Sequence, residues 1–130
     1  MPPRPLSPHL SVYKFKYTLT TSILNRCTAL ALSVGLLLLV YWLMAVAGGA
    51  YAQARAARLL SGPLVKLLYA ALIMAFCYHL VAGIRHLVWD TGRGLERAQA
   101  QRSAWLVGAL SIALTLLIGY CAWLAGALAP

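Results

Sequence analysis

The chain has 130 residues, of which 62% are apolar and only 10% charged, and it carries a formal net charge of +9. Its acids are Asp90 and Glu96 alone. So apolar a composition excludes an ordinary soluble domain. The basic residues cluster around apolar runs and not on a polar face, which excludes nucleic-acid recognition as the use of the charge.

Residues 1–21 read as an interfacial lead. Pro2, Pro3, Pro5 and Pro8 keep its start extended. Tyr13, Phe15 and Tyr17 then alternate with Lys14 and Lys16, a mix suited to the headgroup level of a bilayer. The lead lacks a short apolar region followed by a small-residue cleavage site, so it does not read as a cleaved signal. Thr21 or Ser22 is positioned to cap the first helix.

Three apolar runs follow, at about 27–50, 64–87 and 104–128. Each exceeds the roughly 20 residues that a helix needs to cross a hydrocarbon core. The expected fold is all-α, a single membrane domain over residues 1–130. Its transmembrane helices fall at about 22–49, 63–90 and 103–128. The first connection, "GGAYAQARAARLLSGP", has room for a surface helix, and Pro63 is placed to start the second span. The second connection, "DTGRGLERAQAQRS", is polar, with Gly92 and Gly94 as breakers. Cys27, Cys77 and Cys121 lie in the spans without CxxC spacing. They read as small core residues and not as disulfide or metal ligands.

Charge sets an orientation. Arg4, Lys14, Lys16 and Arg26 flank the start of the first span, and Arg85, Arg93, Arg97 and Arg102 surround the second connection. Only Arg55, Arg58 and Lys66 lie at the first connection. The positive-inside rule therefore expects the N-terminus and the second connection in the cytoplasm or mitochondrial matrix, and the C-terminus on the opposite side.

The second span carries the densest chemistry, "CYHLVAGIRHLVWDTG" from Cys77 to Gly92. His79 lies about 16 Å from the Asp90 end at 1.5 Å per residue, near the bilayer centre. With no carboxylate nearby, three uses stand open: haem ligation, a hydrogen bond to a neighbouring helix, or a proton relay. His86 falls two turns on, about 10.5 Å along the axis, too far to share one iron with His79. His9, in the extended lead, does not easily reach mid-membrane. A six-coordinate haem would therefore take its second ligand from another chain. Gly83 and Ala75, each four residues from His79, clear its stripe for a flat macrocycle. Arg85 and His86 suit anionic propionates, or serve as interfacial anchors.

In the first span, "SILNRCT" places Ser22 and Arg26 one turn apart on one face. A hydroxyl and a guanidinium there suit a quinone carbonyl, aided by the positive field of a helix N-terminus. The plainer alternative is a helix cap beside a topology-setting arginine.

Taken together, these segments resemble the cytochrome b (b556-type) membrane-anchor subunit of succinate dehydrogenase, respiratory complex II. "RPLSPHL" at residues 4–10 with "SILNRCT" at residues 22–28 is similar to that family's first signature, and "HLVAGIRHLVWDTG" at residues 79–92 to its second. The resemblance spans nearly the whole chain. It implies that His79 is an axial ligand of haem b and that a second anchor subunit supplies the other. It implies that Arg26, Arg85 and His86 lie near the propionates or the quinone pocket. Ser22 and Arg26 would help bind ubiquinone close to the iron–sulfur subunit, with Asn25 beside them. Asn25 departs from the histidine of many members, and Ala29 from a common glycine.

The expected function is then a membrane-anchor subunit of succinate:quinone oxidoreductase, with no succinate chemistry of its own. Its expected partners are a second anchor, an iron–sulfur subunit, a flavoprotein subunit and membrane lipid. The expected location is a bacterial inner membrane, with a mitochondrial inner membrane second. Two alternatives remain at this level: a fumarate reductase-type anchor using menaquinone, and a structural anchor without cofactor.

Overall fold

A computed structural model describes residues 17–127 and, before them, Arg4. The prolines, His9, Tyr13, Lys14, Phe15 and Lys16 of the lead lie outside the described residues. The described chain forms four helices and no strand: α1 Tyr17–Ala47, α2 Ala50–Leu60, α3 Pro63–Asp90 and α4 Arg97–Ala127. Three of these, α1, α3 and α4, are long and apolar enough to cross a membrane. The chain is an all-α, multi-pass membrane protein.

The second span matches its expected limits, because its ends are set by backbone chemistry. Pro63 sits in the first turn, after Gly62 in extended conformation. At the other end, Gly92 and Gly94 hold positive φ of 77° and 75°, a region that L side chains avoid. The Gly92 N–H donates to the Trp89 carbonyl at 2.8 Å, closing the last turn.

The other two spans begin earlier than expected. α1 starts at Tyr17, so Thr21 and Ser22 lie inside the helix and do not cap it. Tyr17 is not free at the interface, since its hydroxyl donates to the Arg97 carbonyl at 3.0 Å. α4 starts at Arg97, because "RAQAQRS" is polar but made largely of good helix formers. Apolarity alone marks where lipid begins, not where the helix does. The surface helix expected in the first connection is α2.

α3 is the central helix and packs against both α1 and α4, which touch each other less. The contacts use small groups: Ala75, Cys77, Ala82, Ala100 and Ser111 are buried. A core cluster joins Tyr78 and Ala82 of α3 to Val107 of α4. Large apolar side chains point outward; Leu37 is 69% exposed and Leu116 68%. That inversion suits lipid, which solvates leucine and leaves close backbone approach as the source of packing. Of the three cysteines only Cys77 is a core residue; Cys27 and Cys121 face outward on their helices, all as free thiols.

Candidate functional site

One end of the bundle gathers the start of α1, the end of α3 and the start of α4. Polar side chains link the three there. The Tyr78 hydroxyl donates to the Thr21 carbonyl at 3.2 Å. Arg85 is 6% exposed and lies between the helices. Its Nε donates to the Ser103 hydroxyl and its Nη2 to the Ala100 carbonyl, both at 2.9 Å. Its Nη1 reaches Thr21 Oγ1 at 3.5 Å. The guanidinium stacks 3.9 Å over the Trp89 ring, and Trp89 Nε1–H donates to the Gly94 carbonyl at 3.0 Å.

His79 sits on the other side of α3, half-buried against α1. Its Nδ1 lies 3.3 Å from both Thr28 Oγ1 and the Asn25 carbonyl. The Thr28 hydroxyl donates along its own helix to the Leu24 carbonyl at 2.8 Å, leaving its oxygen as an acceptor toward the ring. A carbonyl only accepts. Both neighbours of Nδ1 are therefore acceptors, which in the neutral ring favours the tautomer with its proton on Nδ1. No described residue hydrogen-bonds Nε2. A Cβ built at Gly83 would meet nothing within 4 Å, so the strip beside His79 is open. No group of three or more His, Cys, Asp or Glu gathers among the described residues.

The sequence-expected residues divide into three groups. Asn25 and His79 come together across the α1–α3 seam. Ser22, half-buried, and Arg26, exposed, precede that contact on α1. Arg85 joins the α3–α4 side and reaches α1 at Thr21. His86 is exposed; its Nδ1–H donates to the Ala82 carbonyl at 2.7 Å and its ring meets Trp89 edge-on at 5.3 Å. The unbroken helix between the histidines keeps them two turns apart. Asn25 Oδ1 is buried without a hydrogen-bond partner among the described residues, an acceptor that calls for a donor.

Sequence reasoning passed over Thr28, Thr21, Ser103 and Trp89. Thr28 had a signal, since it sits three residues after Asn25 and so on its face of the helix. Ser103 had none, because nothing in spacing says which α4 residue meets Arg85.

Fold and site together define a class, a three-span membrane protein whose central helix sets a half-buried histidine against the first span. Residues 1–118 match the family described as succinate dehydrogenase/fumarate reductase transmembrane subunit. The chain belongs to that family. It is 40% identical over 114 residues to the succinate dehydrogenase cytochrome b556 subunit of Paracoccus denitrificans, covering 88% of each chain. It is 40% identical over 116 residues to the cytochrome b556 subunit of Rickettsia prowazekii, covering 88% of this chain and 90% of that one. It is 34% identical over 111 residues to the human mitochondrial cytochrome b560 subunit, covering 84% of this chain and 66% of that one. Membership makes the chain a membrane-anchor subunit of a complex II assembly.

Proposed function

We propose that this subunit ligates haem b through His79 and forms part of a ubiquinone-reduction site. The observation that carries the reading is the pair of α1 oxygens facing Nδ1 of His79, with no described residue bonded to Nε2. The donor set fits the group: a neutral imidazole, an oriented ring, and open space at Gly83. Haem, when bound, supplies a one-electron carrier. A second anchor subunit would supply the other ligand, since His86, the other histidine among the described residues, stands two turns away on the same unbroken helix.

His86 and Arg26 are suited to the anionic propionates. What Arg85 offers an anion is Nη1, the donor with the longest contact within the chain. Ser22 and Arg26 orient the quinone carbonyl, and the guanidinium stabilises negative charge as it develops there. The orphaned Asn25 Oδ1 suits a hydroxyl of the reduced quinone, or a water. Electrons arrive from an iron–sulfur subunit served by a flavoprotein. The basic end of the bundle faces the cytoplasm of a bacterium, and the protein lies in the inner membrane.

The test is an oxidised and reduced optical spectrum of the purified complex. His79→Ala abolishes the low-spin b-type bands, and His86→Ala keeps them. The reverse pattern assigns the ligand to His86 and sinks the reading.

A further inference from the structure

The proton on His79 is held from a different helix, and that helix also carries the proposed quinone residues. We infer that Thr28 is a positioning residue for the haem ligand: with the Asn25 carbonyl, its hydroxyl oxygen keeps the proton on Nδ1 of His79 and aims the Nε2 lone pair at iron. The inference rests on the ligation reading above.

The two acceptors are each 3.3 Å from Nδ1, at the long end of hydrogen bonding. One alone holds the ring loosely, whereas two share a single N–H and narrow its orientation. Thr28 is fixed to act as an acceptor, because its one hydrogen is engaged by Leu24 at 2.8 Å, with the Asn25 carbonyl next at 3.0 Å. An acceptor on Nδ1–H raises the basicity of the other nitrogen toward a metal. A more basic ligand favours ferric over ferrous iron and lowers the reduction potential.

His86 gives an internal contrast. Its Nδ1–H bonds the Ala82 carbonyl of its own helix, so α1 has no hold on it. The His79 lock instead depends on how α1 and α3 sit together. Asn25 and Thr28 belong to the turn that contains Arg26 and follows Ser22. Any displacement of that turn by an occupant at Ser22 and Arg26 changes both distances to Nδ1. The turn thereby links the electronic state of the haem to occupancy of the quinone pocket.

The experiment uses the assembled complex carrying Thr28→Val, Thr28→Ala or Thr28→Ser. Its readouts are the haem midpoint potential from an optical redox titration and the g values of the low-spin ferric signal. Thr28→Val, nearly the same shape without the acceptor, is expected to shift the potential upward. The ferrous-to-ferric ratio at fixed potential rises by up to about tenfold, or ~59 mV for a one-electron couple. The g values move with it, and Thr28→Ser stays at wild type in both. An unchanged Thr28→Val overturns the inference. So does an equal shift in Thr28→Val and Thr28→Ser, because serine keeps the hydroxyl. If Thr28→Val loses haem, loss in Thr28→Ala with retention in Thr28→Ser supports the inference. Retention in Thr28→Ala at wild-type potential, or loss in all three, overturns it. A His79→Ala complex that keeps low-spin haem removes the ligation reading itself. A haem-free His79→Ala beside an unchanged Thr28→Val removes only the role of Thr28.

Discussion

The two ends of the bundle are held in different ways. Where α1 begins, Tyr17, Thr21, Tyr78, Arg85, Trp89 and Ser103 form cross-helix or loop hydrogen bonds. Toward the other end, α1 and α3 border a groove of roughly 760 Å³ lined by Leu32, Leu36, Leu39, Tyr69, Leu72 and Phe76, among others, although Leu72 abuts α1 at Gly35. Apolar side chains are as abundant there, yet they leave that groove open. Leucine gains little by leaving lipid for protein, so apolar surface does not draw helices together as it would in water. Hydrogen bonds and small residues do, and most of the hydrogen bonds between helices lie at the end that carries the candidate site. The site's geometry thus rests on the polar end.

Removing the guanidinium that joins the helices tests this most severely. Arg85→Ala breaks charge-assisted bonds to two partners on α4 and the stacking on Trp89, leaving a buried void. The expected loss is about 2–4 kcal/mol, since charged hydrogen bonds contribute roughly 1.5–3 each in soluble proteins and less in membranes. It is read as a lower thermal midpoint of the detergent-solubilised complex. Arg85→Lys restores little of it, because an ammonium cannot span the same fork. A wild-type midpoint in Arg85→Ala would erase the distinction between the two ends.

Arg26 is the exposed counterpart on α1. Arg26→Ala should leave the thermal midpoint unchanged while slowing quinone reduction by roughly tenfold or more, as loss of a charge-assisted bond allows. The comparison is succinate-driven reduction of a soluble quinone analogue against reduction of an artificial dye that bypasses the pocket. Equal falls in both assays would make Arg26 structural.

Smaller effects sharpen the picture. Trp89→Phe keeps a ring beneath Arg85 but deletes the bond to the Gly94 carbonyl. It should cost about 0.5–1.5 kcal/mol in the same melt. Leu116→Ala, on the outward face of α4, should cost less than about 0.5 kcal/mol, as substitutions away from packed features do. A larger loss at Leu116 would mean that a protein partner covers that face.

The sequence discloses these regions unevenly. Span length and apolarity sufficed for three helices, and proline and glycine chemistry for both ends of α3. The starts of α1 and α4 were hidden because helix-forming polar residues extend each span beyond its lipid-facing stretch. Depth alone singled out His79 but left its use open among ligand, helix–helix hydrogen bond and proton relay. The direction of Arg85 was not: a residue's place on its own helix says nothing about which neighbour supplies acceptors. The burial of Cys77 but not of Cys27 or Cys121 has the same origin. Lipid-facing and helix-facing positions are equally apolar here, so no periodic pattern separates them.

The Tyr17 hydroxyl bonds a carbonyl eighty positions later in the chain. Helices enter a membrane in the order in which they are made, so α1 and α3 can meet while α4 is still to come. During that interval Ser103 and the Ala100 carbonyl are not there to receive Arg85, and Tyr17 has no Arg97 to bond. The last helix therefore acts as a latch. Its arrival neutralises the polar demand of Arg85, fixes the first turn of α1, and completes the seat of the site on a bundle that until then is held by one helix pair.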